Sequence, residues 1–298
     1  MRAGSHVGVA RRVRARLGML LAAGALLCLV VTGTAPPVGA ASAIESTYAA
    51  AGSWAVSTAT VSDSAGTYVV HYPTNLGAGG VDHPIVTWGN GTNAVPSQYT
   101  GVLNQLASWG FVAIASTDTT TGGGTEVLAA ANYLVTQSST SGSIFQNNLD
   151  TANVGAAGHS QGASGALNAS VLSNGLIDTV MTNAMPNPIW VSAEHVTDFS
   201  QLSATVFLTS GTSDVVISTA SGNAGYYDQV TGGAARARLK GAGHNTIQGT
   251  GGGFLGYMTA WFRYQLEGDT TARGAFAGGS PELPTNTNWQ NVATKSLA

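Results

Sequence analysis

Short runs of apolar and β-branched residues alternate along this chain with segments of helical spacing, and few folds accommodate that alternation. The runs cover Trp54 to Val61, Tyr68 to Tyr72, Pro84 to Trp88, Phe111 to Ser116, Val154 to Gly158, Thr179 to Ala184, Thr205 to Thr209 and Ala235 to Leu239. Gly, Pro, Asn or Asp closes each of them, as strands of a covered sheet read. The first two, separated by Ser62 to Thr67, suit an antiparallel hairpin at a sheet edge. Between later runs, Tyr99, Val102, Leu103 and Leu106 fall at i, i+3, i+4 and i+7, and Val127, Leu128, Ala131 and Leu134 likewise share one helical face. A last helix is expected over Phe254 to Leu266, followed from Asp269 by an extended tail rich in Gly, Pro and Asn. Together these predict an α/β fold with a mostly parallel central sheet and helices on both faces. No repeat or long linker divides residues 41–298, which are read as one domain.

Residues 1–40 differ in kind. Arg2, Arg11, Arg12, Arg14 and Arg16 precede an apolar run from Leu17 to Val31, and Val38-Gly39-Ala40 and Ala41-Ser42-Ala43 follow as small-residue cleavage sites. That pattern is a secretory signal, cut after Ala40 or Ala43. The run is shorter than the roughly 20 apolar residues a membrane span needs, so no stable membrane insertion is expected. Cys28, the only cysteine, falls inside this leader, and the mature chain has neither a disulfide nor a thiol nucleophile. Removing the leader takes five of the eleven basic residues and none of the fourteen acidic ones, leaving a net charge of about −8. Nucleic acid and anionic membranes are poor partners for such a surface, and a monomer is expected.

The strand Val154 to Gly158 runs into Gly158-His159-Ser160-Gln161-Gly162, and a small-residue helix follows. A turn this tight needs nearly bare flanking positions, and it lifts a serine hydroxyl above the sheet at a helix N-terminus. The pentapeptide alone says little: 40 glycines and 27 serines in 298 residues produce Gly-x-Ser-x-Gly roughly 0.5 times by chance. The partners carry the inference. Serine needs a base within hydrogen-bond reach and a carboxylate to orient that base, and on a strand-to-helix turn of this kind they follow in the order Ser, acid, His. His71 and His83 precede Ser160, and the side chain of its neighbour His159 is directed elsewhere. His195 reads as a solvent-exposed residue of a surface connection, whereas His244 lies just past the last predicted strand and before the last helix. Of Asp178, Glu194, Asp198, Asp214 and Asp228, only Asp214 comes directly after a strand. Ser160, His244 and Asp214 are therefore the candidate catalytic residues. The oxyanion hole should use the Gln161 N–H and an N–H from Gly89-Asn90-Gly91-Thr92, with Asn90 preferred and the register open by two residues. Trp190, Trp88 and Tyr99 are candidate substrate-lining aromatics.

In order along the chain, Tyr72-Pro73-Thr74-Asn75, Leu106-Ala107-Ser108-Trp109-Gly110-Phe111-Val112, Asp118-Thr119, the serine turn, Asp214-Val215-Val216-Ile217 and Tyr227-Asp228 leading to Gly243-His244 resemble the cutinase-like polyester hydrolases and related bacterial lipases of the α/β-hydrolase superfamily. That resemblance implies a secreted esterase without metal or organic cofactor, and it supports Ser160, Asp214 and His244 position by position. The chain departs from the family where Gln161 replaces a usual Met, where Gly89-Asn90 replaces a Gly-Tyr pair, and where a C-terminal disulfide is missing. Loss of the tyrosine and the methionine removes apolar walls from the acyl site and argues against aromatic polyesters more than against esters at large.

Fewer than twenty residues separate the strand ending near Ala184 from the one beginning near Ala204, too few for a cap domain. An open cleft favours esters presented on a polymer or aggregate, of lipid or polyester type. A peptidase or acyltransferase on the same three residues is the alternative chemistry. The weakly charged, neutral-polar composition also suits a rival from another class, a non-catalytic secreted carbohydrate-binding protein.

Overall fold

The computed structural model describes residues 43–298; the expected leader, residues 1–40 with Cys28 and the cut after Ala40, lies outside the described residues. Among these residues nine strands build one sheet: β1 (Val56–Ser62), β2 (Thr67–Pro73), β3 (His83–Gly89), β4 (Val112–Ser116), β5 (Leu149–His159), β6 (Thr179–Asn183), β7 (Thr205–Gly211), β8 (Ala234–Leu239) and β9 (Trp289–Lys295). Their spatial order is β1-β2-β4-β3-β5-β6-β7-β8-β9. From β4 through β8 neighbouring strands run parallel, while the β1–β2 hairpin and β9 close the two edges with antiparallel pairing. Strands β3, β4 and β6 are buried at every position, because helices cover both sheet faces, which is why they read as continuous apolar runs.

The helices among the described residues are α1 (Ala43–Ala49), α2 (Thr100–Ser108), α3 (Thr125–Ser139), α4 (Gln161–Leu172), α5 (Ala220–Gln229), α6 (Leu255–Glu267) and α7 (Thr270–Arg273); α2 to α6 cover the sheet, and α1 and α7 pack on α6. Leu103 and Leu106 of α2 and Tyr257 and Trp261 of α6 fill one face; Leu134 of α3, Leu167 of α4 and Tyr226 of α5 fill the other. Met258 and Phe262 of α6 are also wholly buried, and at about 1.5–3 kcal/mol for each such side chain this helix is a principal clamp on the sheet.

The segment after Asp269 is not the plain extended tail its composition suggests. The Asp269 carboxylate accepts the N–H groups of Thr271 and Ala272 and starts α7, and the chain then returns as β9 along β8. The Trp289 indole donates to Glu45 at 2.7 Å, Asn286 donates to Glu45 at 2.6 Å, and the Ile44 and Glu45 N–H groups donate to Glu282. A polar latch onto α1 thus closes the C-terminal region without a disulfide.

From β3 the chain adds β4 on one side and returns to add β5 on the other, so the winding reverses between β3 and β5. In an open α/β sheet the crevice at the carboxyl ends of the strands opens at such a reversal. Only three short 3-10 turns, at Pro188–Trp190, Ala193–His195 and Phe199–Gln201, lie between β6 and β7. Among the described residues no cap domain covers the crevice.

Candidate active site

Strand β5 ends at His159 and α4 begins at Gln161, so Ser160 makes the whole turn. Its backbone sits at φ 54°, ψ −126°, a conformation that costs about 1–3 kcal/mol outside glycine and persists only where packing enforces it. The packing is explicit. A Cβ at Gly158 would come within 2.0 Å of the Gly162 carbonyl oxygen, and a Cβ at Gly162 within 2.2 Å of the Gly89 carbonyl oxygen. Bare positions on both sides let the turn press against the end of β3.

His244 lies in the loop after β8, and Asp214 in the loop after β7. The His244 Nε2 is 3.0 Å from Ser160 Oγ and its Nδ1 is 2.5 Å from Asp214 Oδ2. The other carboxylate oxygen of Asp214 accepts the Ile217 and Ser218 N–H groups, both at 3.1 Å. Asp214 is 4% exposed. Burial alone would raise its carboxyl, but the bonds from His244, Ser218 and Ile217 hold it below the usual carboxylate range. An ionised Asp214 fixes the His244 proton on Nδ1, leaving Nε2 free to accept from the serine. The arrangement can remove a proton from Ser160 and stabilise the imidazolium that results.

Two residues support this geometry that the sequence reading passed over. Arg238 of β8 is buried beneath the Asp214 loop, donating to Ser210 Oγ at 2.9 Å and to the carbonyl oxygens of Gly211 at 2.5 Å and Asp214 at 3.0 Å. An arginine inside the run Ala234-Ala235-Arg236-Ala237-Arg238-Leu239 breaks its apolar pattern, and that was the available signal. His159, whose side chain was expected to be directed away from Ser160, is 1% exposed, with Nδ1 3.0 Å from the Tyr99 hydroxyl and Nε2 2.9 Å from the His244 carbonyl oxygen.

Above Ser160 opens a cleft of about 340 Å³ walled by Gly91, Thr92, Gln161, Trp190, Ile217 and Gln248, among others. Of the expected aromatics only Trp190 reaches it, 56% exposed, with its indole donating to the Val216 carbonyl at 3.1 Å. Trp88 and Tyr99, 1% and 0% exposed, pack ring on ring in the core; β3 is covered on both faces, so a side chain at its end need not face the crevice. Asn90 is likewise buried, its amide donating to the Ser116 and Asp118 carbonyls, and it does not line the cleft. Gly91 does, but its N–H donates to the Tyr99 hydroxyl at 2.9 Å; Thr92, the next residue of the expected register, also lines the cleft. His195 is half-buried, not free in solvent: its ring lies over Gly122 and its carbonyl accepts from Asn168.

A larger hollow, about 460 Å³, lies beside Trp54, His83 and Glu267 at the amino ends of the parallel strands. It lacks a serine paired with a histidine. Among the described residues no three His, Cys, Asp or Glu side chains are grouped to hold a metal. A family model described as PET hydrolase-like matches residues 33–293 of the chain.

Proposed function

The chain belongs to the PET hydrolase-like family of α/β-hydrolase serine esterases, and on that premise we propose that it is a secreted carboxylic-ester hydrolase in which Ser160, His244 and Asp214 form the catalytic triad. The observation that carries the assignment is the hydrogen-bonded series from Ser160 Oγ through His244 to Asp214, built on a strained turn at the reversal point of the sheet. His244 Nε2 takes the Ser160 proton as Oγ attacks the ester carbonyl. The tetrahedral oxyanion is met by the Gln161 N–H at the start of α4 and the Thr92 N–H across the cleft. The imidazolium then protonates the departing alcohol, and water, deprotonated by His244, releases the acid from the acyl-enzyme.

Lipid-like or polyester esters are the proposed substrate class. In support, Trp190, Ile189, Val215 and Val216 form an exposed apolar rim beside the cleft, suited to an aggregated or polymeric surface more than to a small polar metabolite. Residues 1–40 carry the proposal of secretion. A fluorophosphonate probe tests the triad: the parent labels and Ser160→Ala does not, and equal labelling of the two would overturn the assignment. Rates on p-nitrophenyl esters from acetate to palmitate, alongside a polyester film, test the substrate class. Zero rate on every ester with labelling intact would favour peptidase chemistry.

A further inference from the structure

Three hydrogen bonds join the loop that carries the oxyanion donor to the loop that carries the base. The Gly91 N–H donates to the Tyr99 hydroxyl oxygen at 2.9 Å, that hydroxyl lies 3.0 Å from His159 Nδ1, and His159 Nε2 lies 2.9 Å from the carbonyl oxygen of His244. The direction of every bond is fixed by chemistry. A carbonyl only accepts, so His159 carries its proton on Nε2 and donates to His244. Nδ1 is then a bare acceptor, and the Tyr99 proton must point to it. The Tyr99 oxygen is left to receive the Gly91 N–H.

Resting on the triad assigned above, we propose that His159 and Tyr99 are positioning residues, which set the spacing between the His244 loop and the oxyanion loop. Each is at most 1% exposed, so neither offers substrate appreciable surface. The protein also makes room for the connection: a Cβ at Gly91 would lie 2.9 Å from His159 Nδ1 and 3.0 Å from the Tyr99 hydroxyl. Burial, and next the proximity of His244, push the His159 imidazole down to about 4, which keeps it in the neutral form the bonding pattern needs. His159 is thus coupled to both neighbours of the reacting carbonyl while belonging to neither.

The test compares His159→Phe, Tyr99→Phe and His159→Gln with the parent on p-nitrophenyl butyrate. Phenylalanine keeps each ring and loses its hydrogen bonds, whereas the Gln amide presents a donor and an acceptor with nearly the spacing of the two imidazole nitrogens. Misplacement of about 1 Å in a catalytic group can cost ~10²-fold. We expect kcat to fall roughly 10- to 100-fold in both Phe variants with KM within about twofold, and His159→Gln to recover to within about fivefold of the parent. The double Phe variant should be little worse than the poorer single one, because both break one series of bonds. Phe variants within twofold of the parent kcat would overturn the proposal, as would a Gln variant as slow as Phe or a loss confined to KM. Circular dichroism accompanies each variant, and if His159→Phe does not fold, Tyr99→Phe, which deletes a single oxygen, decides. A parent that fails to label with fluorophosphonate would sink the triad itself; a labelled parent with unaffected variants would sink only this inference.

Discussion

Replacing Asp214 by Asn changes one atom, and the surroundings of that atom dictate the outcome. Asp214 Oδ1 accepts the Ile217 and Ser218 N–H groups while Oδ2 faces His244 Nδ1. The amide can keep its oxygen on the two backbone donors, but its NH2 then faces Nδ1, forces the His244 proton onto Nε2 and removes the acceptor that Ser160 needs. The opposite orientation restores the tautomer at the expense of both backbone bonds. Two hydrogen bonds lost, with two buried donors left facing an NH2, cost about 2–6 kcal/mol. At 1.4 kcal/mol per decade the productive tautomer is roughly 30- to 10⁴-fold rarer, and the lost carboxylate charge removes further stabilisation of the imidazolium. Asp214→Asn should therefore lower kcat on p-nitrophenyl butyrate by at least 30-fold. Its unfolding midpoint should stay near that of the parent, since the shape of the side chain is conserved. A variant that keeps more than a tenth of the parent rate would refute both the tautomer argument and the choice of Asp214.

Arg238→Met should expose the same loop from below. Deprived of the guanidinium, the buried Asp214 carbonyl loses its donor and the Gly211 carbonyl keeps only the 3.3 Å bond from the Asp214 N–H, so a loss of about 1–3 kcal/mol is expected, read as a fall in the thermal unfolding midpoint together with a lower kcat. An unchanged midpoint would show the carbonyls to be satisfied otherwise. Gly162→Ala drives a Cβ against the Gly89 and Asn90 carbonyl oxygens and should abolish fluorophosphonate labelling of whatever soluble protein is obtained; normal labelling would mean the turn is not under the pressure described. Trp190→Ala should weaken hydrolysis of palmitate esters or polyester film several-fold while acetate changes within about threefold, and equal losses on both would remove Trp190 from the substrate surface. Stability should also respond to pH through His159. Its pKa is about 4 in the fold against about 6.5 unfolded, so the unfolded state binds the extra proton first and stability is lost as pH falls from about 6.5 toward 4, by about 3 kcal/mol. His71 and His83, also lowered by burial, act in the same direction and remain in His159→Gln. That variant should show a shallower fall in urea midpoint between pH 7 and pH 4; an identical slope would refute the assignment of the effect to His159.

What the sequence could and could not reveal follows from the range of the forces involved. Gly158 and Gly162 were legible because the clash they avoid is with backbone at most a turn away in sequence or at the paired end of β3. The placement of Asp214 and His244 beside Ser160 was legible because in a parallel sheet every strand's exit loop arrives at the same edge, so following a strand is a geometric statement. The seven strands from β2 to β8 showed for a related reason: burial on one or both faces writes itself into runs of apolar residues, while β1, with no buried position, showed through its alternation and the short turn to β2. Strand β9 is an edge strand with only Trp289 buried, and the latch that holds it depends on Glu45, some 240 residues distant. Trp88 failed as a substrate aromatic because a fully covered strand gives no periodic sign of which side faces the crevice, and Tyr99, at the end of the 3-10 turn Pro96–Tyr99, because its hydroxyl is held inward by Gly91 and His159. The oxyanion loop shows a different limit. Its Gly91 N–H is taken by the Tyr99 hydroxyl, and that hydroxyl is itself bonded to His159, sixty positions further on. A local pattern can mark where a nucleophile stands, but the groups that tune it are selected by contacts between loops, and those exist only once the sheet has brought the loops together.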